Sequence, residues 1–528
     1  MTNNRLTVLV TALLAVLLNP AQAKNNEPQT YQTTAVNVPA VYQADNSIKL
    51  TMEQIMAHPD WLGRQSESAH WSADSSQVYY QRKREGSEIR DWFVRPLTGK
   101  DNGELVALSE LEQIGTDNAV YNTSRTLQAY AFEGDIYVRD IASGNVTQLT
   151  RDSARQFAPE FLQDGRVVYR EGWTFFAQAL NSSQRTELVS LKLEEAPKAP
   201  AMPKGYLAQQ QHKLIEFIAL EQRNATERHQ ARQQLQQQNS NLAPQAFYLG
   251  KDQQIVAASL SPKADYLLVS VRKASKRNDK DIMPNYITAN GDIAAESVRA
   301  RVNDVTPLPQ RILLLNLNDG SQTELSYTTL PGYNEDVLAE VKAENAKARG
   351  EKYKSAKVIR DIGLMTDWYW SQSAMRWHNN GEQVALMLKA LDNKDRWIAT
   401  VDFAKKKLVP QHRLHDKAWV NYAFNDFGWL NNSDSLYFLS EETGYSHLYL
   451  KPLKGKAKKL TSGTFEVAAP VLTKDDSYIY FQANQSHPGI YEVYRAVLAS
   501  GDDGFIYQSE SHLNQVLKEL EQTLATKQ

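Results

Sequence analysis

The sequence contains no cysteine. That excludes disulfides, thiolate zinc sites and a cysteine nucleophile. A chain without thiols also passes through an oxidising compartment without mispairing. Charge of one sign is lacking as well: 59 Lys and Arg against 61 Asp and Glu leave a formal charge of −2. A general nucleic-acid binder needs a basic surface, so that class of partner is not expected. After the first twenty residues no stretch is apolar enough to span a membrane. Also missing is a G-x-S-x-G stretch, the elbow that lifts a nucleophilic serine above an α/β sheet. Gly444-Tyr445-Ser446-His447-Leu448 comes near it but lacks the second glycine.

The first residues read as an export signal. Arg5 gives a short basic start, and Leu6–Leu18 is an apolar run too short for an ordinary span. Pro20 breaks the run, and Ala21-Gln22-Ala23 is a small-x-small cleavage site. Residues 1–23 are therefore expected to be a signal peptide, cleaved after Ala23. The mature chain would be periplasmic or secreted, with no membrane association after cleavage. Residues 24–48 are polar and contain proline, as in a loose leader. A short helix is expected at 51–56, capped by Thr51, with Gln54 completing a capping box.

What the rest of the chain has is a repeat. Its clearest copy is Trp429–Thr461. Ser435–Ser440 (SLYFLS) is one strand, SHLYLKPL the next and AKKLT the last; Trp429 with Asn431-Asn432 ends a preceding strand. Gly444 suits a turn that needs a positive φ. Leu448 and Leu450 alternate with Tyr449, the period of a strand. Four antiparallel strands in about 35 residues make one blade of a β-propeller, and blades come in rings. The same form recurs from Trp71, over Ala119–Thr150, from Ala158 to about Leu193, over Val256–Lys273 resuming at Arg311–Leu325, over Met375–Val409 and over Ala469–Leu498. A polar turn after each first strand sets the phase: SADSS, LQDG, SPKAD, HNNG, LNNSD and TKDD. The fold class is all-β, a seven- or eight-bladed propeller of four-stranded antiparallel blades over residues 49–501.

Two insertions break the β pattern. Residues 205–239 open with Leu207, Leu214, Ile215, Phe217 and Ile218, then run rich in Gln and Arg without Gly or Pro. One or two long helices are expected there, and a second charged helix at 333–353; both would protrude from the ring. In the tail, 502–528, Ser511 can cap a helix that carries Leu513, Val516, Leu517, Leu520 and Leu524 on one face. That face would cover the propeller or join two chains, so a homo-oligomer is one expectation.

LTMEQIMAHPDWLG, HWSADSSQVYY, DNKDRWIATVD, SEETGYSHLYL and LTSGTFEV closely resemble segments of the N-terminal propeller of dipeptidyl peptidase IV-like enzymes, in the prolyl oligopeptidase family of serine peptidases. The likeness covers Ile48 to Gly501. It implies an eight-bladed propeller ahead of an α/β-hydrolase domain that carries a Ser-Asp-His triad. The propeller in that family restricts access to short peptides and helps grip the substrate's free amino end. Only 27 residues follow Gly501, against the roughly 200 or more of a hydrolase domain. No triad residue is carried over, because no position matches.

The resemblance implies a non-catalytic, substrate-gating propeller of an exported peptidase, partnered by peptides and by a hydrolase domain or protein. The alternative is a periplasmic propeller that binds proteins or peptides as a scaffold, with no peptidase link. Glu441-Glu442 resembles the paired glutamates that bind a peptide amino terminus in the family, though its setting in a blade turn favours a solvated or turn-stabilising role. Glu194-Glu195 is read as solvated. His412 and His415 (HRLH) are read as surface histidines rather than metal ligands. Asp392–Arg396 (DNKDR) is read as a turn with local ion pairs. No metal or cofactor is called for.

Overall fold

The computed structural model describes residues 50–98, 103–115, 119–202, 204–239, 241–275, 281–298, 308–366, 372–498 and 507–508. The expected signal peptide, the leader and the tail helix at 511–524 lie outside the described residues. The chain divides into two compact units, residues 1–151 and 152–528. The fold is that of a β-propeller with seven blades, two in the first unit and five in the second. The all-β expectation is borne out, with seven blades rather than eight among the described residues.

Blade 1 begins with the strand Ser66–Trp71, which ends on the tryptophan that marks it in the sequence, and runs through Gln77–Lys83, Arg90–Pro96 and Glu104–Leu105. Blade 2 spans Val120–Gln148. Ahead of blade 1, Thr51 caps the helix Met52–Met56, and Gln54 completes the capping box.

The second unit holds blades 3 to 7. Blade 3 spans Gln156–Lys192 and gains a fifth strand, Phe247–Tyr248, parallel to Arg185–Lys192. Blade 4 pairs Gln253–Leu260, Tyr266–Lys273, Gln310–Asn316 and Gln322–Leu325 in that order. In blade 5 two short strands, Ile362–Leu364 and Met375–Trp377, share the partner Val384–Ala390; Asp395–Asp402 and Lys407–His415 follow. Blade 6 is Phe427–Trp429, Ser435–Ser440, His447–Pro452 and Lys458–Lys459. Blade 7 spans Val467–Leu472, Tyr478–His487, Ile490–Val497 and Tyr507–Gln508.

Why these residues make blades is visible in their alternation. Every residue of Ser435–Ser440 is buried, so both faces of the strand must find cover. Leu436 and Phe438 enter the cluster shared with blades 4 and 5, where Leu268, Ile312 and Trp397 lie. Tyr437 and Leu439 enter the cluster shared with blade 7, with Val467, Ile479 and Phe481. Blade 4 repeats the device: Leu268 faces blade 5, while Leu267 and Val269 face Val168 and Val189 of blade 3. A side-chain period of two thus splits each central strand between two neighbours.

The polar turns have a common cause. Asp74, Asp164 and Asp475 each accept a hydrogen bond from the backbone N–H two residues on, at Ser76, Arg166 and Ser477. The Leu-Thr endings have one too. Thr150 Oγ1 accepts the Ile136 N–H at 2.9 Å, and Thr461 Oγ1 accepts the Leu448 N–H at 3.0 Å. Each threonine caps the third strand where the short fourth strand has run out, sparing an orphan buried donor.

The first insertion forms two helices, Tyr206–Leu214 and Glu216–Gln238, packed on each other with no buried residue in either. The second is shorter than its charged pattern indicates, Ala339–Ala348 only. Its first residues are held outside the helix, because Asp336 bonds Tyr353 and Ser355 in place of a backbone cap. A third insertion, between the middle strands of blade 4, carries the hairpin Ile282–Asn285/Ala294–Ser297, which the sequence reading did not separate. Its strands are exposed on both faces, so no apolar alternation announces them.

Candidate functional site

Two residues at the start of one blade 5 strand organise the site. Asp395 and Arg396 are neighbours in a strand and so point to opposite faces. On one face the Asp395 carboxylate is fully buried. It accepts from Arg360 Nη1 at 2.6 Å, from Arg413 Nε at 2.6 Å and from His415 Nδ1 at 3.1 Å. Arg360 also pairs with Asp392 at 2.6 Å, and Arg413 with Glu335 at 2.7 Å. The ion pairs of DNKDR are therefore not local: their cations come from before and after the strand hairpin. The pairing holds the Glu335 carboxyl below the usual carboxylate range, chiefly through its hydrogen bonds with Arg413.

On the other face Arg396 is 3% exposed. Its guanidinium donates to Asn425 Oδ1, and more loosely to the carbonyls of Ala423 and Leu439, each at 3.5 Å. Burial pulls it down to about 10, with the charges of Glu441 and Asp426 opposing. It remains a cation at neutral pH. A cleft of about 10 Å³, room for about one water, opens beside it between Lys389, Asn421 and Tyr422.

Glu441 and Glu442 sit in the blade 6 turn next to this cation. The Glu441 carbonyl accepts the Gly444 N–H at 2.9 Å, and Gly444 takes φ +96°, as the turn requires. Glu441 is half-buried; Asn421 Nδ2 lies 3.4 Å from its carboxylate. Burial pushes its pKa up, and Arg396 opposes that shift. Glu442 is more open, its side chain 39% exposed, with Oε2 at 3.6 Å from His412 Nε2. The pair is thus neither simply solvated nor symmetrical: one carboxylate is half-buried beside Asn421, and the other faces solvent.

His412 is not a surface histidine. Its side chain is 13% exposed and its ring packs on Phe438 at 4.5 Å between centroids. Burial, with Arg396 and Lys451 nearby, pulls it down to about 4. Ser440 Oγ lies 3.2 Å from its Nε2. A serine, a histidine and a glutamate thus meet, but not as a triad. Ser440 and Glu442 approach the same ring nitrogen, whereas a catalytic histidine takes its proton on one nitrogen and is oriented through the other. Ser440 is also fully buried, out of reach of a substrate carbonyl.

A separate cavity of about 320 Å³ lies under the second insertion, between Glu335, Asp336, Lys342, Arg360 and the apolar Val358 and Ile359. Its charges satisfy one another: hydrogen bonds from Lys342, Tyr353 and Ser355 hold Asp336 down to about 2. Glu194 and Glu195 lie elsewhere, exposed at the end of blade 3, where Glu195 accepts the Lys251 N–H. Among the described residues no group of three or more His, Asp or Glu is arranged to hold a metal.

Sequence reasoning reached Glu441 and Glu442, named Arg396 only as the end of a turn with local ion pairs, and missed Asn421 and Asn425. Arg396 closes the charged run DNKDR, so nothing in the sequence sets it apart from its charged neighbours. The two asparagines left no signal, since they stand in an irregular stretch.

Comparison with known proteins bears out the family resemblance over part of the chain. Residues 346–515 match the family model described as dipeptidyl peptidase IV (DPP IV) N-terminal region. That stretch includes blades 5 to 7 and the site residues from Arg360 to Glu442, but not Glu335. Two solved structures also match. One is a dipeptidyl peptidase 4 from Porphyromonas gingivalis, with TM-score 0.45 and 11% identity over 87% of this chain and 55% of that one. The other is described as a putative dipeptidyl aminopeptidase IV from Bacteroides ovatus ATCC 8483, with TM-score 0.38 and 11% identity over 82% of this chain and 52% of that one. This chain spans about half the length of each. A search of curated proteins finds no match.

Proposed function

We propose that this chain is the substrate-gating propeller region of an exported dipeptidyl peptidase IV-like serine peptidase. The triad would be supplied by a hydrolase domain or by a partner protein. The observation that carries this reading is the family match over residues 346–515, set within a seven-bladed propeller. Gating asks for a rigid ring and a few polar contacts, not for a nucleophile. In this reading Glu441 and Glu442 offer carboxylates to the ammonium of an incoming peptide. Asn421 positions Glu441, and the charge of Arg396 favours its ionised form; Glu442, closer to solvent, makes first contact.

The chain itself should be inert. Acyl transfer needs an activated serine, a histidine base and an oxyanion hole within hydrogen-bond reach, and ordinary alcohols are poor nucleophiles at neutral pH. The purified chain is expected to leave chromogenic Xaa-Pro dipeptide substrates uncut and a fluorophosphonate serine probe unreacted. Stoichiometric labelling of a serine, with matching turnover, would overturn the reading.

A further inference from the structure

One edge of blade 3 holds a cation and a carboxyl that share a small cavity without touching. Arg170 lies on the second strand, and the register sets Phe157 opposite it on one side and Phe175 on the other. Directly opposed residues share a face of the sheet, so the guanidinium stands in a row of rings. Its Cζ is 4.7 Å from the Phe157 centroid, 5.1 Å from that of Trp173 and 5.6 Å from that of Phe175. Rings attract the charge, but they do not replace oxygen acceptors for its N–H groups. Among the described residues this guanidinium makes no hydrogen bond and no ion pair. Glu160 stands opposite Val168, on the same face. Phe157 and Glu160 would face opposite ways in a regular strand. A bulge between them, with Ala158 at φ +52°, puts both beside Arg170. A cavity of about 40 Å³ is lined by Glu160 and Arg170, with Val168, Phe175 and Ala258 of blade 4. Burial pulls the cation below its ordinary value. The Glu160 side chain reaches solvent, yet it lies deep enough among protein atoms that burial pushes it up to about 7, with Arg170 opposing. Tyr169, the other titratable group of the lining, donates to Gln178. Glu171 is paired with Arg185, and the blade 4 strand that brings Ala258, Gln253–Leu260, carries no charge.

We propose that this cavity binds a carboxylate, which accepts hydrogen bonds from the Arg170 guanidinium and from the protonated carboxyl of Glu160. The donor set selects that class. A guanidinium only donates, a protonated carboxyl has an O–H to give, and a carboxylate only accepts. The planar guanidinium fork also matches a carboxylate's two oxygens. The volume has room for about three water-sized atoms, which is the size of the carboxylate group itself. The rest of a longer ligand would project past Ala158, which is open to solvent. When Glu160 is ionised, its charge repels the ligand, so binding takes up a proton. This inference does not rest on the proposed function.

Saturation-transfer NMR on the purified chain, with acetate as the probe at constant ionic strength, tests it. At pH 6 acetate is expected to bind with a dissociation constant of about a few millimolar. At pH 8 it should bind about tenfold more weakly, since the protonated fraction of Glu160 falls from about nine-tenths to about one-tenth. Glu160→Gln keeps a donor and takes up no proton, so its affinity should be the same at both pH values. Arg170→Gln should lose binding at both, with its melting temperature showing that it is folded. Glu160→Gln changes a solvent-accessible group and keeps the test independent of that second variant. Chloride at the acetate concentration should not displace it, which separates a carboxylate site from a bare anion site. Four results would each overturn the proposal: no binding by wild type at pH 6, a pH dependence that survives in Glu160→Gln, undiminished binding by folded Arg170→Gln, or displacement by equal chloride.

Discussion

Asp395→Asn removes the charge on which Arg360 and Arg413 converge, and its cost can be worked from their partners. Breaking a buried ion pair by deleting one member costs about 3–5 kcal/mol, because the other charge stays buried and unpaired. Here neither arginine is abandoned. Arg360 keeps Asp392 at 2.6 Å, and Arg413 keeps Glu335 at 2.7 Å. Asparagine also retains one acceptor oxygen, while its amide faces a guanidinium donor at 2.6 Å. The expected loss is therefore about 2–4 kcal/mol, short of full abandonment. Asp392→Asn is the internal control. Its side chain is 18% exposed and Arg360 would keep Asp395, so about 1 kcal/mol is expected. The exposed pair Arg311–Glu324 gives the floor, near zero for Glu324→Gln. Urea unfolding at constant pH, followed by tryptophan fluorescence, ranks the three through their midpoints if the slopes agree. Asp395→Asn within about 0.5 kcal/mol of Glu324→Gln would refute the reasoning, and with it the claim that this network fixes the strand that carries Arg396.

His412 is depressed in the folded chain to about 4 from 6.5, so the unfolded chain takes up the proton first. Its contribution is whole above pH 6.5 and is lost as pH falls toward 4, by on the order of 3 kcal/mol. His412→Gln should flatten that window of the stability profile; an unchanged acid slope refutes the assignment. Glu442 at 3.6 Å could hold the imidazole charged, but its exposure leaves that attraction screened, and the burial of the ring decides. Gly332→Ala should lower stability by about 2–4 kcal/mol, because its φ is +76° and a Cβ would strike the Arg413 guanidinium; thermal denaturation checks this. Trimming 224–238 should leave the melting temperature nearly unchanged, since that helix has no buried residue; a large fall would show that the helix is packed.

What was legible in the sequence was whatever repeats. Ser435–Ser440 is bounded in the structure as the pattern bounds it, because a strand buried on both faces writes an unbroken apolar run between polar turns. The Leu-Thr endings were readable for the same reason, although their hydrogen-bonding role appears only when Thr461 meets the Leu448 N–H. The charged groups were not legible. His412 looks exposed in HRLH, since nothing nearby in sequence announces that Phe438 of the next blade covers it. Asp395 reads in sequence as pairing within DNKDR, while its partners stand at 360 and 413. Glu441 and Glu442 were found through likeness, but the burial of Arg396 could not be read from DNKDR: its environment is assembled from 423, 425 and 439. Periodicity reports burial along one chain segment, whereas electrostatic partners arrive from others.

The proposal stands or falls most directly on whether the blade 6 turn holds a peptide by its amino end. Fluorescence anisotropy with a short labelled peptide, in free-amine and N-acetylated forms, measures this on the purified chain near pH 7. The free amine should bind measurably and the acetylated form at least about tenfold more weakly, since acetylation removes the charge that the carboxylates would hold. Glu441→Gln/Glu442→Gln should erase that preference. Equal binding of both peptides, or a preference that survives the double substitution, would contradict the account.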